Sequence, residues 1–365
     1  MVMALPVHEV IEHIRRHYFT DPRTSLSDIH VEPQADGVAV HGAVLDRQAA
    51  DGFMQALRVR APGINWRDEL TPLICGPDYS WALNNRVVAD VRHEPRNDSE
   101  RVTQAVFGEA IEVLRYQQTW AFVRLSDGYL GWMHIEPLHL CTGETVELYR
   151  HQTTHVIKRP LAPVFAHPSG APHEQCALLP FGALVAVDGL AGPLQRIRWP
   201  DGTLRWIPAT DSLPLHDLAH GSTVGLRTLA PWLRQLIGVP YLWGGKTSFG
   251  IDCSGLMQIV FQMIGVHLRR DADQQAESGS AAPFDDLSFG DLIFFDTHTP
   301  NDLIMTQPPS AITHVGLALS RTDFIHSSWR GGGVVWGSFD PRSPFFTPTY
   351  ERRFLKARRY LTQDA

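Results

Sequence analysis

The chain has 365 residues, 44% of them apolar and 19% charged, with a formal charge of −7. That length exceeds what one hydrophobic core usually spans, so two to four domains are expected, and the composition excludes a disordered chain. The acidic balance without any basic cluster argues against nucleic acid as a partner, and no apolar run reaches membrane-spanning length.

The opening stretch "MVMALPVHEVIEHIRRHYF" lacks an apolar core and a cleavage site of the signal-peptide kind. It reads as an amphipathic helix over 7–19 with Val7, Val10, Ile11, Ile14 and Tyr18 on one stripe. A cytoplasmic, reducing location is therefore the expectation, with a secreted or periplasmic one if a leader has been removed. Cys75, Cys141, Cys176 and Cys253 lie far apart, with neither a CxxC pair nor zinc spacing, so neither a disulfide scaffold nor a metal site is expected. Two strand-like runs follow at 29–31 and 38–44, then a helix over 47–59 that Asp46 can cap. This α+β unit, residues 1–78, carries no recognisable chemistry and is expected to pack against its neighbours.

An internal repeat comes next. "VFGEAIEVL" (106–114) aligns with "PFGALVAVD" (180–188), and "SDGYLGWM" (126–133) with "PDGTLRWI" (200–207), both at an offset of 74 residues. Upstream, "VRHEP" and "VFAHP" match one residue out of step. Short alternating strands, an Asp-Gly turn and a closing Trp predict a small β-barrel made twice, over 79–143 and 144–215.

The last unit, 216–365, begins with a helical period in Leu226, Leu229, Leu233, Leu236 and Ile237, with Pro231 in its first turns and Gly238 as the stop. A second helix follows Cys253, carries Leu256, Ile259, Val260, Met263 and Ile264, and stops at Gly265. Strand-like runs at 291–296, 313–320 and 324–328 complete an α+β domain.

Cys253 sits in "GIDCSG", after a glycine-containing turn and just before Ser254 opens the helix. A helix N-terminus favours a thiolate, the nucleophilic form of cysteine. Taken alone, a cysteine is more often inert core material. A base changes that balance, and His314 and His326 supply it. A hairpin symmetric about Ser320 places the two imidazoles directly opposite each other, so that one orients the other toward the thiol. "HQTTH" (151–155) has metal-ligand spacing but no HExxH glutamate, and "RGGGVV" (330–335) reads as a loop joining strands.

The blocks "YLWGGKTSFGIDCSGL", "RRDADQQAESG", "FGDLIFF", "THVGLAL" and "FIHSS" resemble, in order and spacing over 225–360, the NlpC/p60 family of papain-like cysteine peptidases. The barrel pair resembles bacterial SH3-like domains, and the combination resembles the γ-D-glutamyl-L-diamino-acid endopeptidases. The fold implied is α+β: a papain-like domain preceded by two SH3-like barrels and a small N-terminal unit. The resemblance implies a nucleophile at Cys253, a base at His314, a third polar residue at His326 and a tyrosine near the oxyanion site at Tyr241. It implies hydrolysis of peptidoglycan stem peptides with a free N-terminal L-Ala, without metal or organic cofactor. Asp252, Tyr129 and Glu100 are the acceptors expected around that amine, and Ser254 joins the substrate-binding group. Tyr129 is singled out because the second repeat has Thr203 there, so the barrel itself does not require an aromatic. Two alternatives remain: an endopeptidase or amidase on intact wall anchored by the barrels, and a non-catalytic wall-peptide-binding module. Two departures stand out: Ile251, where an aromatic is common, and the extra "HTPNDLIMTQPP". The latter is expected to form a lid or pocket wall within 297–311, with Leu303, Ile304 and Met305 at its tip.

Overall fold

The computed structural model describes residues 7–73, 80–297 and 312–362. Cys75 and all of the expected lid except Thr297 lie outside the described residues.

The N-terminal unit packs two helices, Val7–Tyr18 and Arg47–Arg60, on a three-stranded sheet. The second helix starts where Asp46 accepts a hydrogen bond from the N–H of Ala49 at 2.8 Å, as the sequence predicts. Val10, Ile11 and Ile14 are buried with Phe53, Met54 and Leu57, whereas Tyr18 remains largely exposed. The third strand, Trp66–Pro72, runs parallel to Gly37–Val44. It escapes a reading by alternation because only Trp66 and Leu70 of "WRDELTP" turn inward.

The two barrels are built alike. Strands Trp81–Asn84, Val88–Arg92, Arg101–Val106, Ala110–Gln117, Trp120–Arg124, Leu130–His134 and Leu138–Cys141 form the first. Strands His155–Ile157, Leu161–Phe165, Gln175–Pro180, Leu184–Ala191, Leu194–Arg198, Leu204–Pro208 and Ser212–Pro214 form the second in the same neighbour order. Both carry a bulge at the same place, between Val113 and Arg115 and between Val187 and Gly189. The Phe-Gly turn, however, is used differently in each copy. Gly108 and Gly182 hold the left-handed backbone the turn needs (φ +68° and +80°). Phe107 of the first barrel is buried in the core of the second, its ring 4.5 Å from that of Trp199. Phe181 of the second barrel is buried in the core of the C-terminal domain, where Gly182 sits against Ile259. Each barrel thus plugs the module that follows it.

In the C-terminal domain a helix, Cys253–Met263, packs on an antiparallel sheet of six strands. Their order is Ser280–Ala282, Phe354–Arg359, Leu292–Phe295, His314–Ala318, Asp323–Ser328 and Gly333–Ser338. Leu256, Met257 and Val260 share a core with Val315, Leu317 and Ile325. The preceding helix is Thr223–Leu233, because Ser222 caps it by accepting from the N–H of Gly225. Pro231 therefore lies in its last turn rather than its first, where the backbone passes into the 3-10 turn Arg234–Leu236. The "RGGGVV" segment ends in a strand, not a loop, from Gly333 onward. His151 and His155 are separated by a helix end at Gln152, which breaks their helical spacing, and the described residues contain no cluster able to hold a metal ion.

Candidate active site

A short ribbon, Lys246–Thr247 paired with Gly250–Ile251, delivers Asp252 to the start of the central helix. Asp252 is the N-cap, its carboxylate accepting from the N–H groups of Gly255 at 2.7 Å and Gly244 at 2.9 Å. Cys253 is consequently the first helical residue, where backbone N–H groups lack internal partners and the helix end is positive. Burial pushes the Cys253 thiol up to about 12, and Asp252 adds to the rise. The N–H groups of Val315 and Ser254 and the Arg270 guanidinium oppose it. Val315 follows His314 in sequence, so the thiol lies against the histidine strand.

Leu317 pairs with Ile325 and Ala318 with Phe324, so the hairpin is symmetric about Arg321, not Ser320. The Ser320 hydroxyl accepts from the N–H groups of Thr322 and Asp323 and tightens the turn one residue later. His314 and His326 are therefore diagonal neighbours on one face instead of direct opposites. They meet nonetheless, with Nε2 of His314 2.7 Å from Nδ1 of His326. Gly316 makes the diagonal contact feasible: a Cβ there would stand 3.3 Å from Cβ of His326 and equally close to Phe324. Gly316→Ala is expected to lower kcat about ten- to a hundredfold with KM little changed, because a small displacement of the imidazole pair misaligns the reacting atoms. Steady-state kinetics on the purified variant checks this. Both histidines are buried, and burial lowers His314 to about 4 and His326 well below its ordinary value. Tyr350 covers the pair, its ring stacked 5.8 Å from His314 and edge-on 4.8 Å from His326, with its hydroxyl 3.2 Å from Oγ of Ser328.

Arg270, to which the sequence gives no role, organises the turn Asp252–Ser254. It is 1% exposed. Its Nη1 and Nη2 donate to the two Asp252 oxygens at 3.1 and 2.6 Å, Nη1 also to the Ser254 hydroxyl at 2.8 Å, and Nε to Thr103 of the first barrel at 2.8 Å. Asp252 was expected to supply charge to a substrate amine; here Arg270 already matches its charge. Ser254 returns a hydrogen bond to Asp252 at 3.3 Å. Only the oddity of adjacent arginines in an otherwise apolar approach to "DADQQ" hints at Arg270 in the sequence.

Tyr241 lies near Cys253: burial raises its phenol first, and the Cys253 and Asp252 charges raise it further. Its ring meets Trp329 edge-on at 5.7 Å. The exposed Glu100 accepts from Nε1 of Trp243 at 2.7 Å, linking the first barrel to the segment before Cys253. Tyr129 is nearly fully buried, and its hydroxyl donates to Asp271 at 3.1 Å. The barrel is further locked in place by Lys246, whose Nζ lies 3.8 Å from Glu109 and 3.7 Å from Asp127, all three buried, and by Gln258 donating to Asp127 at 2.9 Å. Thus the structure gathers Cys253, His314, His326, Tyr241, Asp252 and Ser254 around one turn. From the first barrel, Tyr129 reaches Asp271, the residue after Arg270, and Glu100 reaches Trp243.

Residues 238–359 match the NlpC/P60 family, and residues 91–138 match the bacterial dipeptidyl-peptidase SH3 domain. A γ-D-glutamyl-L-lysine dipeptidyl-peptidase of Bacillus subtilis is 28% identical over 68% of this chain and 79% of its own length. A probable endopeptidase of Haemophilus influenzae is 35% identical over 37% of this chain and 75% of its own. The crystal structure of an NlpC/P60 family protein from Bacillus cereus superposes with a TM-score of 0.64 at 20% identity, covering 78% of this chain and all of the other. With the Asp252–Ser254 turn, the histidine hairpin and a barrel docked beside them, the chain belongs to the NlpC/P60 family, its papain-like domain preceded by a bacterial SH3 domain and a second barrel of the same topology.

Proposed function

We propose that this protein is a cysteine peptidase that hydrolyses the γ-D-glutamyl–diamino-acid bond of peptidoglycan stem peptides bearing a free N-terminal L-Ala. Its substrates are then released wall fragments, and its place is peptide recycling. The observation that carries this reading is the first barrel, docked on the C-terminal domain beside Asp252 and Cys253 through Arg270, Lys246 and Trp243 instead of standing free as an anchor. The naming of the Bacillus subtilis relative supports the choice of bond.

In this mechanism His314 carries its proton on Nε2 and donates to Nδ1 of His326, leaving Nδ1 as the base. The base takes the Cys253 proton as sulfur attacks the γ-carbonyl, and the same proton passes to the leaving amine. The N–H of Cys253 and the Tyr241 hydroxyl receive the oxyanion. Water, activated by His314, then cleaves the thioester and restores the thiol.

Arg270 and Asp252 match one for one, while around Arg23 the carboxylates of Asp21, Asp271 and Asp273 pair with Arg23 and Arg269, one negative charge in excess even apart from the exposed Glu277. That excess, with the Tyr129 hydroxyl bonded to Asp271, suits an ammonium. Acetylating the substrate N-terminus is expected to lower kcat/KM several hundredfold, since an uncompensated buried charge costs about 3–5 kcal/mol. The comparison needs two tripeptides, free and acetylated. Equal cleavage of both, or efficient digestion of intact wall, would favour a wall endopeptidase with anchoring barrels.

A further inference from the structure

We infer that Arg23, on the N-terminal unit, is a positioning residue for amine recognition: through Asp271 it fixes the direction in which the Tyr129 hydroxyl points its hydrogen. This rests on the reading above, in which Tyr129 lines the amine pocket.

The N-terminal unit touches the catalytic domain through the loop after its first helix. Nη1 of Arg23 donates to Asp271 at 2.9 Å and to Asp273 at 2.9 Å, and Nη2 donates to Asp273 at 2.9 Å. Its Nε and Nη2 are also engaged by Asp21, which accepts from Gln274 at 2.6 Å. The Arg23 carbonyl accepts from the N–H of Leu130, the residue after Tyr129. One loop therefore pins both the Asp271 carboxylate and the strand that carries Tyr129.

The chemistry follows from what each group can give. An ionised carboxylate only accepts, so Tyr129 must spend its single hydrogen on Asp271. The phenol oxygen is left with lone pairs alone, the polarity an ammonium needs. A protonated Asp271 would instead donate, turn the hydroxyl hydrogen outward and set it against the amine. Burial pushes the Asp271 carboxyl up, and the neighbouring Asp252 and Asp273 push the same way. Arg270 and Arg23 oppose the rise. Besides Tyr129, these are the charged groups facing it: Arg23 from the N-terminal unit, with Asp21 behind it, and Asp252, Arg270 and Asp273 from the catalytic domain. Arg270 is committed to Asp252, which leaves Arg23 as the cation bonded directly to Asp271.

Arg23→Gln should let Asp271 take up a proton as pH falls toward neutrality. The expected result is a KM for the free-amine tripeptide raised about tenfold near pH 6, a much smaller rise near pH 8, and kcat within about twofold. Arg23→Lys, which keeps the charge, should restore the wild-type pH profile, so a general loosening of the N-terminal unit is distinguished from the electrostatic effect. In a Tyr129→Phe background, which has no acceptor to orient, Arg23→Gln should raise KM no further. A wild type that fails to discriminate free from acetylated peptide overturns the amine reading itself. A wild type that discriminates, beside an Arg23→Gln variant with an unchanged KM profile or an equal effect in the Tyr129→Phe background, overturns the role of Arg23 and leaves that reading standing.

Discussion

Cys253→Ala is expected to lower kcat/KM by about four orders of magnitude or more while substrate binding persists, because no other group at the site can form the acyl intermediate. Cys141 and Cys176 lie in the barrels, and their replacement is expected to leave turnover intact. The environment of the thiol sharpens the expectation. Burial opposes both the Cys253 thiolate and the His314 imidazolium, so the resting pair expected at neutral pH is thiol and neutral imidazole. The proton then moves as sulfur attacks, not before. Alkylation of the free enzyme by iodoacetamide should accordingly be slow at neutral pH and rise steadily into the alkaline range. A rate already at its plateau in mild acid would show a preformed ion pair and refute this order of events.

Arg270→Met should be the most damaging substitution away from the reacting atoms. It leaves the Asp252 carboxylate buried without its counterion, a loss of about 3–5 kcal/mol in unfolding free energy. Asp252 also caps the nucleophile helix, so any shift it makes to find water moves Cys253. Activity should fall with stability. Adding Asp252→Asn removes the stranded charge, and the double variant should be more stable than Arg270→Met alone in urea unfolding. Equal stability of single and double variants would show that the pair contributes through packing, not charge.

The parts of the site legible in the sequence are those encoded locally. The helix after the glycine turn and its stop at Gly265 lie within one helix length, although the helix opens at Cys253, one residue before the Ser254 expected, because Asp252 caps it. The pairing of His314 with His326 follows from strand parity, which survives a hairpin shifted by one residue on each register count. The barrels were legible because the chain states the pattern twice. Arg270 was not, because its partner lies 18 residues upstream and an isolated arginine does not announce its carboxylate. Arg23 was further out of reach: its contact to Asp271 spans 248 residues, and nothing in an α+β unit of unremarkable composition marks one loop as the part that docks. The strand Trp66–Pro72 was hidden for a different reason, since an edge strand with one solvated face reads as a polar loop.

The two Phe-Gly turns bear on how the protein is made. Synthesis runs from the N-terminus, and domains generally fold as they emerge. The first barrel can close its own sheet, but Phe107 stays uncovered until the second barrel exists to receive it. The second barrel in turn presents Phe181 until the helix Cys253–Met263 has left the ribosome. The catalytic domain, last to appear, meets a partner already waiting and completes its interior with a side chain it does not itself encode. Folding in chain order is therefore expected to complete each core with a side chain supplied by the module before it, the Cys253 helix last.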